Sequence, residues 1–594
     1  MKRRDLFAAA ALLPLASPAL AQGGPFRRVL PGDAGWPSAA EWQRLSEAVG
    51  GQLVEPRSPL AACRAAPDSE ACARFFREMK NPWAIGDSAA LTQTSGWVDA
   101  WSSQPSAYAV AARHAGDVAA AVDFARRHRL RLAVKGGGHS YQGTSNAAGS
   151  LLVWTRPMNR VELHDAFVPQ GCSGPPQPAI SLGAGTVWLH AYAAAAQAGR
   201  YVQGGGCATV NVAGLVQSGG FGTFSKQFGM ASAGLLEAEV VTADGAVRIV
   251  NACREPDLFW ALKGGGGGSF GVVTRVTLRT HPLPETFGGI FATVRATSDD
   301  AFRRLIARFV AFYRERLFNP NWGEQATVRP DNALEITMVF QGLSEAAANA
   351  TWKPFLDAIA AEPASFRMEA PPLIVSVPAR HFWDAAWMKA NARAFVLDDD
   401  RPGAPGDNIF WRGNLGETGW FLHGYESSWL PASLIEPAGQ ARLVEALFAG
   451  SRHWRIGLHF NKGLAGGPAV NQAEARDTAT NPAVADAFAL AISAASGPPA
   501  FAGIPGHEPD LAKARDEARR VTAAMDAMRR LAPRPASYVS EASFFGDDWR
   551  EAYWGDNYPR LRAVKERVDP DGLFTVHHGV GSEDWSPDGL TRLR

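Results

Sequence analysis

Three glycine runs mark where this chain can close its backbone on a phosphate. They are Lys135-Gly136-Gly137-Gly138-His139-Ser140-Tyr141, the stretch from Gly204-Gly205-Gly206-Cys207 to Gly219-Gly220-Phe221-Gly222, and Gly264 to Gly268 followed by Ser269-Phe270-Gly271. Consecutive glycines let N–H groups approach an anion with no Cβ in the way. The third run leads into a strand, where a dinucleotide fingerprint needs a helix, and no Gly-Lys-Ser/Thr is present. A Rossmann turn and a P-loop are therefore both excluded. One run alone reads as a plain turn, but three within residues 135–271 ask for a ligand.

Five cysteines add a second chemistry: Cys63, Cys72, Cys172, Cys207 and Cys253. An odd count leaves at least one outside any intramolecular bridge. Cys63 and Cys72 can close a short loop. Cys172, in a Gly/Pro-rich loop, and Cys253, after a strand-like run, can pair, although spacing does not fix that pairing. The one left over would be Cys207. None of the spacings resembles a zinc site, so no metal is expected.

The elements that must hold these groups follow from periodicity. Asp117 is expected to cap a helix that buries Val118, Ala121, Val122 and Ala125 on one face. Short strands are expected at residues 131–134, 151–154 and 180–182. A helix over 187–198 should stop at Gly199. Asp244-Gly245 between two β-branched runs signals a hairpin, and residues 272–278 read as a strand. Further on, Phe302, Leu305, Phe309 and Tyr313 predict an amphipathic helix over 300–316. Strands are expected at 334–340, 420–423 and 456–460, and a helix carrying Leu561, Val564 and Val568 should end at Asp569-Pro570.

Composition narrows the function classes. At 594 residues, 46% hydrophobic and 20% charged, the chain is globular and large enough for two or more cores. A formal charge of +1, from 59 basic and 58 acidic residues, offers no surplus for phosphate backbones, so nucleic-acid binding is not expected. Residues 1–21 read as an export signal, with a basic start, an apolar run and Ala19-Leu20-Ala21 as a cleavage site. Arg3-Arg4-Asp5-Leu6-Phe7 resembles the twin-arginine pattern. Losing Lys2, Arg3, Arg4 and Asp5 takes the formal charge to −1. A periplasmic or secreted protein is expected, with no membrane span.

The glycine runs also carry a resemblance. Leu132 to Tyr141, Cys207 to Gly222 and Asp257-Leu258-Phe259-Trp260-Ala261-Leu262-Lys263-Gly264-Gly265-Gly266 resemble, in order, the FAD loops of the berberine bridge enzyme-like oxidases, in the vanillyl-alcohol oxidase superfamily. Tyr553-Trp554-Gly555-Asp556-Asn557-Tyr558-Pro559-Arg560-Leu561 and Asp569-Pro570-Asp571-Gly572-Leu573-Phe574 resemble the closing segment of that family. The resemblance implies an α+β fold of two domains: a PCMH-type FAD domain over 102–284 after a leader at 22–101, and an antiparallel-sheet substrate domain backed by helices over 285–535. The segment 536–594 would return to the FAD domain.

It also implies roles. FAD would attach through His139 by its 8α-methyl, and through Cys207 by a thioether to C6, although Ala208 and Asn211 depart from the family's Pro and Gly. Cofactor contacts would include Lys135, Gly136, Gly137, Gly138, Ser140, Tyr141, Gly206, Val210, Gly214, Gly219, Gly220, Gly222, Val272, Asn557 and Tyr558. Valine at 210 favours O2 as acceptor. Glu541, standing where relatives place a tyrosine, would be the catalytic base if burial raises its pKa. Tyr538 is its backup, His459 and Asn461 would face the site, and His577 and His578 would edge the flavin. The expected reaction is oxidation of a hydroxyl, foremost an oligosaccharide anomeric carbon to a lactone, with release of hydrogen peroxide. Aromatic alcohols or phenols, a non-oxygen acceptor, and a non-catalytic flavin or carbohydrate binder are the alternatives.

Overall fold

A computed structural model describes residues 26–594, so the export-signal reading lies outside the described residues. The first sheet contains β1 (Leu53–Val54), β2 (Tyr108–Ala111), β3 (Leu132–Lys135) and β4 (Leu151–Trp154) in the order β1-β2-β4-β3, with the last three parallel. Helix α1 (Ala115–Arg127) links β2 to β3 and lays Val118, Ala121, Val122 and Ala125 into the core between them. Its start corrects the sequence expectation. His114 occupies the cap, and Asp117 sits three residues inside, where its carboxylate accepts the Arg113 and His114 N–H groups at 2.8 and 3.2 Å. These donors have no intrahelical partner, so the acid satisfies them and suits the positive helix end.

The second sheet is antiparallel. It holds β5 (Val161–Phe167), β6 (Gln177–Gly183), β7 (Leu235–Val241), β8 (Val247–Asn251) and β9 (Val272–Pro282) in the order β8-β7-β9-β6-β5. The Asp244-Gly245 turn closes the β7–β8 hairpin, with Val241 opposite Val247 and Gly245 at φ +79°. Between β6 and β7 come α2 (Trp188–Gln197) and α3 (Val212–Gln217), which together carry the second glycine run. The buried Trp188, Tyr192 and Val212 fix them to the shared core.

The third sheet is the largest. It contains β10 (Thr286–Ala296), β11 (Trp322–Val328), β12 (Ala333–Gln341), β13 (Leu373–Pro378), β14 (Phe421–Pro431), β15 (Ile456–His459) and β16 (Ala487–Gly497). The order is β13-β10-β12-β11-β15-β16-β14, and all these pairs are antiparallel. Helices α4 (Asp299–Phe312), α5 (Glu345–Ala360), α6 (Pro437–Ser451) and α7 (Leu511–Arg529) back one face. Helix α4 buries Phe302, Leu305, Ile306 and Phe309, each contributing about 1.5–3 kcal/mol of burial. It is shorter than the periodicity predicts. Residues Tyr313–Leu317 form a wider π turn, in which Tyr313 stacks on Phe460 at 4.0 Å.

Both chain flanks are woven into this frame. The leader is no separate unit, because its strand Gly96–Trp97 pairs in parallel with β14. The closing helix α8 (Tyr558–Val568) packs on the second-sheet core through Leu561 and Val564. Cys63–Cys72 and Cys172–Cys253 are bridged, and Cys207 is the free thiol. Among the described residues no helix is long and apolar enough to cross a membrane.

Candidate active site

A cavity of about 990 Å³ runs between the second sheet, the open face of the third sheet and the closing segment. All three glycine runs reach it, through Gly136–Gly138, Gly205–Gly206 and Gly266–Gly268. The first loop must be glycine for a local reason. A Cβ on Gly136 would stand 2.9 Å from the Cβ of Asn211, and one on Gly137 would collide with its Oδ1. Asn211, the departure from the family pattern, thus leans on two residues that have no side chain to meet it.

His139 and Cys207 both line this cavity. His139 Nε2 lies 3.2 Å from Thr209 Oγ1, and burial lowers its pKa to about 4, so the imidazole is neutral and nucleophilic at neutral pH. Cys207 Sγ accepts a hydrogen bond from Asn414 Nδ2 at 3.4 Å. Burial, followed by the charge of Glu417, pushes its pKa up, so it rests as the thiol. Val210, Gly206, Gly214, Ser140 and Tyr141 also line the cavity.

Seven expected cofactor contacts stand elsewhere. Lys135 is buried away from the cavity, where its ammonium donates to the carbonyls of Ser88 (2.5 Å), Leu91 and Ile85. Its charge holds a turn of the leader. Gly219 approaches Thr480, Gly220 approaches Leu215, and Gly222 abuts the Gly204 carbonyl, so these glycines serve chain packing. Val272 belongs to the first-sheet core. Asn557 donates to the Thr478 and Thr480 carbonyls, and Tyr558 donates to Glu583 at 2.5 Å. The closing segment instead presents His577 and His578. Phe544, His577 and His578 stack at 3.6 and 3.8 Å, with His578 at φ +50° and its Nδ1 unpartnered.

His459 at the end of β15, Asn461 just after it, and Tyr538 and Glu541 from the closing segment all line the cavity. Glu541 takes two bonds from Lys462 Nζ, at 2.6 and 2.5 Å. Burial, then the Lys462 charge, keeps His459 far below its usual pKa. Two further carboxyls, which sequence reasoning missed, join them there. Glu417 ends the turn Arg412–Glu417, and burial with the Glu541 and Glu324 charges raises it to about 7 against the pull of Lys462. Glu324 lies on β11, where alternation with the buried Trp322 and Ala326 would aim it into the core. Its φ of +59°, rare for a residue with a side chain, accompanies a carboxyl that lines the cavity instead, 3.4 Å from Asn461 Nδ2.

The residues present fit a dinucleotide. Gln142 Oε1, Asn211 Oδ1, Gln217 Oε1 and Asn461 Oδ1 are buried cavity-side atoms without a protein partner, and such groups need one. Glycine walls alternate with these polar atoms along a volume at the top of the usual small-ligand range.

A family model described as "FAD binding domain" matches residues 106–251, and one described as "Berberine and berberine like" matches 532–581. The VAO-type flavoprotein oxidase VAO615 of Thermothelomyces thermophilus is 29% identical over 96% of this chain and 95% of its own length. The crystal structure of VAO-type flavoprotein MtVAO615 from Myceliophthora thermophila C1 superposes with a TM-score of 0.76 at 27% identity, covering 95% of this chain and 100% of that one. The chain is a berberine bridge enzyme-like FAD-linked oxidoreductase. An FAD-linked oxidoreductase of Aspergillus versicolor, notD', is 28% identical to this flavoenzyme over 97% of its chain and 92% of the relative. A xylooligosaccharide oxidase from Myceliophthora thermophila C1, solved with xylobiose, shares the fold at a TM-score of 0.61 and 18% identity, covering 86% of this chain and 98% of that one.

Proposed function

We propose that this flavoenzyme is an oxidase with FAD bound through His139 and Cys207, acting on a hydroxyl group of a small, ring-bearing substrate. The observation that carries this reading is a carboxyl poised at about 7, Glu417, in the cavity that also holds both nucleophiles. When bound, FAD supplies a two-electron acceptor for a hydride. The chain's own residues do the proton work. Glu417 accepts the substrate hydroxyl proton, because a base with pKa near the working pH combines availability with driving force. Lys462 donates to both carboxyl oxygens of Glu541, at 2.6 and 2.5 Å, and so fixes a second carboxyl in the same cavity to orient the hydroxyl.

The rest of the cavity supports the substrate class. Phe291, Val339, Val375, Phe382, Trp387 and Phe395 line it beyond these polar groups, which suits a flat apolar ring system. Trp387 and Trp411 at the cavity favour a second reading, the oligosaccharide one, since indole faces also stack on sugars. Val210 on the cavity wall supports O2 as acceptor, and two disulfides support an oxidising compartment outside the cytoplasm.

The test has two steps. Acid precipitation should leave yellow colour with the protein pellet. Flavin released to the supernatant would overturn covalent attachment. Anaerobic mixing with a panel of aromatic alcohols, phenols and oligosaccharides should bleach the flavin, and air should restore it within seconds. No bleaching by any hydroxyl compound would sink the oxidase reading.

A further inference from the structure

The free thiol raises a problem of its own. Cys207 is held as a thiol by burial, yet only the thiolate is a nucleophile. The segment that touches its sulfur comes from the substrate domain, some 200 residues away in sequence. Arg412–Glu417 is a 3-10 turn between β13 and β14, and its Asn414 donates to Cys207 Sγ at 3.4 Å. Asn414 Oδ1 is buried without a partner. Glu417, at the end of the same turn, lines the same cavity and is the charge acting most strongly on the thiol. Lys462, Glu324 and Glu541 are the other charged groups acting on it. A hydrogen bond aimed at sulfur stabilises its anion, and a carboxylate lining the same cavity can take the proton.

We propose that the 412–417 turn activates Cys207 for attachment to FAD, with Asn414 positioning the sulfur and Glu417 removing its proton. This rests on the reading of Cys207 as a flavin link. The step balances as follows. The S–H bond breaks and its proton passes to Glu417. An S–C bond forms at flavin C6 and the C6–H bond is lost. The two electrons enter the ring together with two protons, one of them returned by Glu417. O2 then takes both electrons and both protons, leaving hydrogen peroxide and the oxidised, thioether-linked flavin. The turn would thus work once on the cofactor before Glu417 serves substrate, and the thioether cannot form until the substrate domain has docked.

The experiment is peptide mapping by mass spectrometry of full-length protein, as purified and after aerobic incubation with FAD. Wild type should carry flavin on both the His139 and the Cys207 peptides. Asn414→Ala and Glu417→Gln should keep the His139 link while the Cys207 link forms about a hundredfold more slowly, the scale of a lost general base. Their Cys207 should remain open to iodoacetamide after unfolding. Glu417→Asp should restore the link in part. The retained His139 link separates this role from misfolding, which would cost both. Unchanged Cys207 linkage in Asn414→Ala and Glu417→Gln overturns the proposal while leaving covalent attachment intact. An unlinked Cys207 in wild type overturns both together.

Discussion

Glu417 is the proposed base at the scale of single residues. Its carboxyl sits near 7 because burial and two neighbouring acids favour the protonated form more than Lys462 opposes it. The sign follows directly. Below about 7 the group keeps its proton and cannot accept another, so kcat/KM should rise about tenfold per pH unit there and level off above. Glu417→Gln should lower kcat by about 10²–10⁴-fold and erase that limb. A pH–rate profile of wild type and variant checks both, and a limb that persists in the variant would assign it to another group. The sequence pointed to Glu541 instead, because it stands in a recognisable segment. Glu417 lies in a Gly-rich loop with no periodicity and reaches the site only through the chain's return. His139 and Cys207 were singled out through the family's glycine-loop pattern, and the structure sets both on the cavity wall.

A strand that breaks its own rule is the feature of interest at the scale of elements. Alternation along β11 is kept by Trp322, Ala326 and Val328, and Glu324 departs from it through a left-handed backbone. Such a conformation costs on the order of 1–3 kcal/mol outside glycine and clusters at functional sites. Asparagine tolerates it, whereas a β-branched residue does not. Glu324→Asn should therefore match wild-type stability in urea titration, and Glu324→Val should lose about 1–3 kcal/mol. Equal losses would show that the side chain, not the backbone, sets the stability here. Periodicity located β12, the Asp244-Gly245 hairpin and helices α1, α2, α4 and α8 within a few residues, but not β11 itself or helices α5, α6 and α7. It could not see an inverted residue, since a polar side chain at a core position reads the same whether it is buried or turned aside.

Two cross-links of very different span tie the whole molecule together. Cys172–Cys253 joins residues 81 positions apart and Cys63–Cys72 joins residues nine apart. Loop-closure entropy makes the first worth about 4.5 kcal/mol and the second about 2.5. A Cys172→Ser/Cys253→Ser variant should thus melt well below a Cys63→Ser/Cys72→Ser variant in calorimetry. The reverse order would mean that the short bridge guards a region that unfolds first. The sequence left this pairing open because spacing alone cannot place two loops side by side. The fold does so by setting Cys172 and Cys253 beside Asn251 at the edge of the second sheet.

The cavity draws its walls from residues near 136 and near 578 alike. A ribosome must therefore pass residue 579 before the last side of that chamber exists. During synthesis the growing polypeptide can fold its early sheets but has nothing with which to shut flavin in. A product that stops short of residues 577–579 should therefore purify without enclosed flavin.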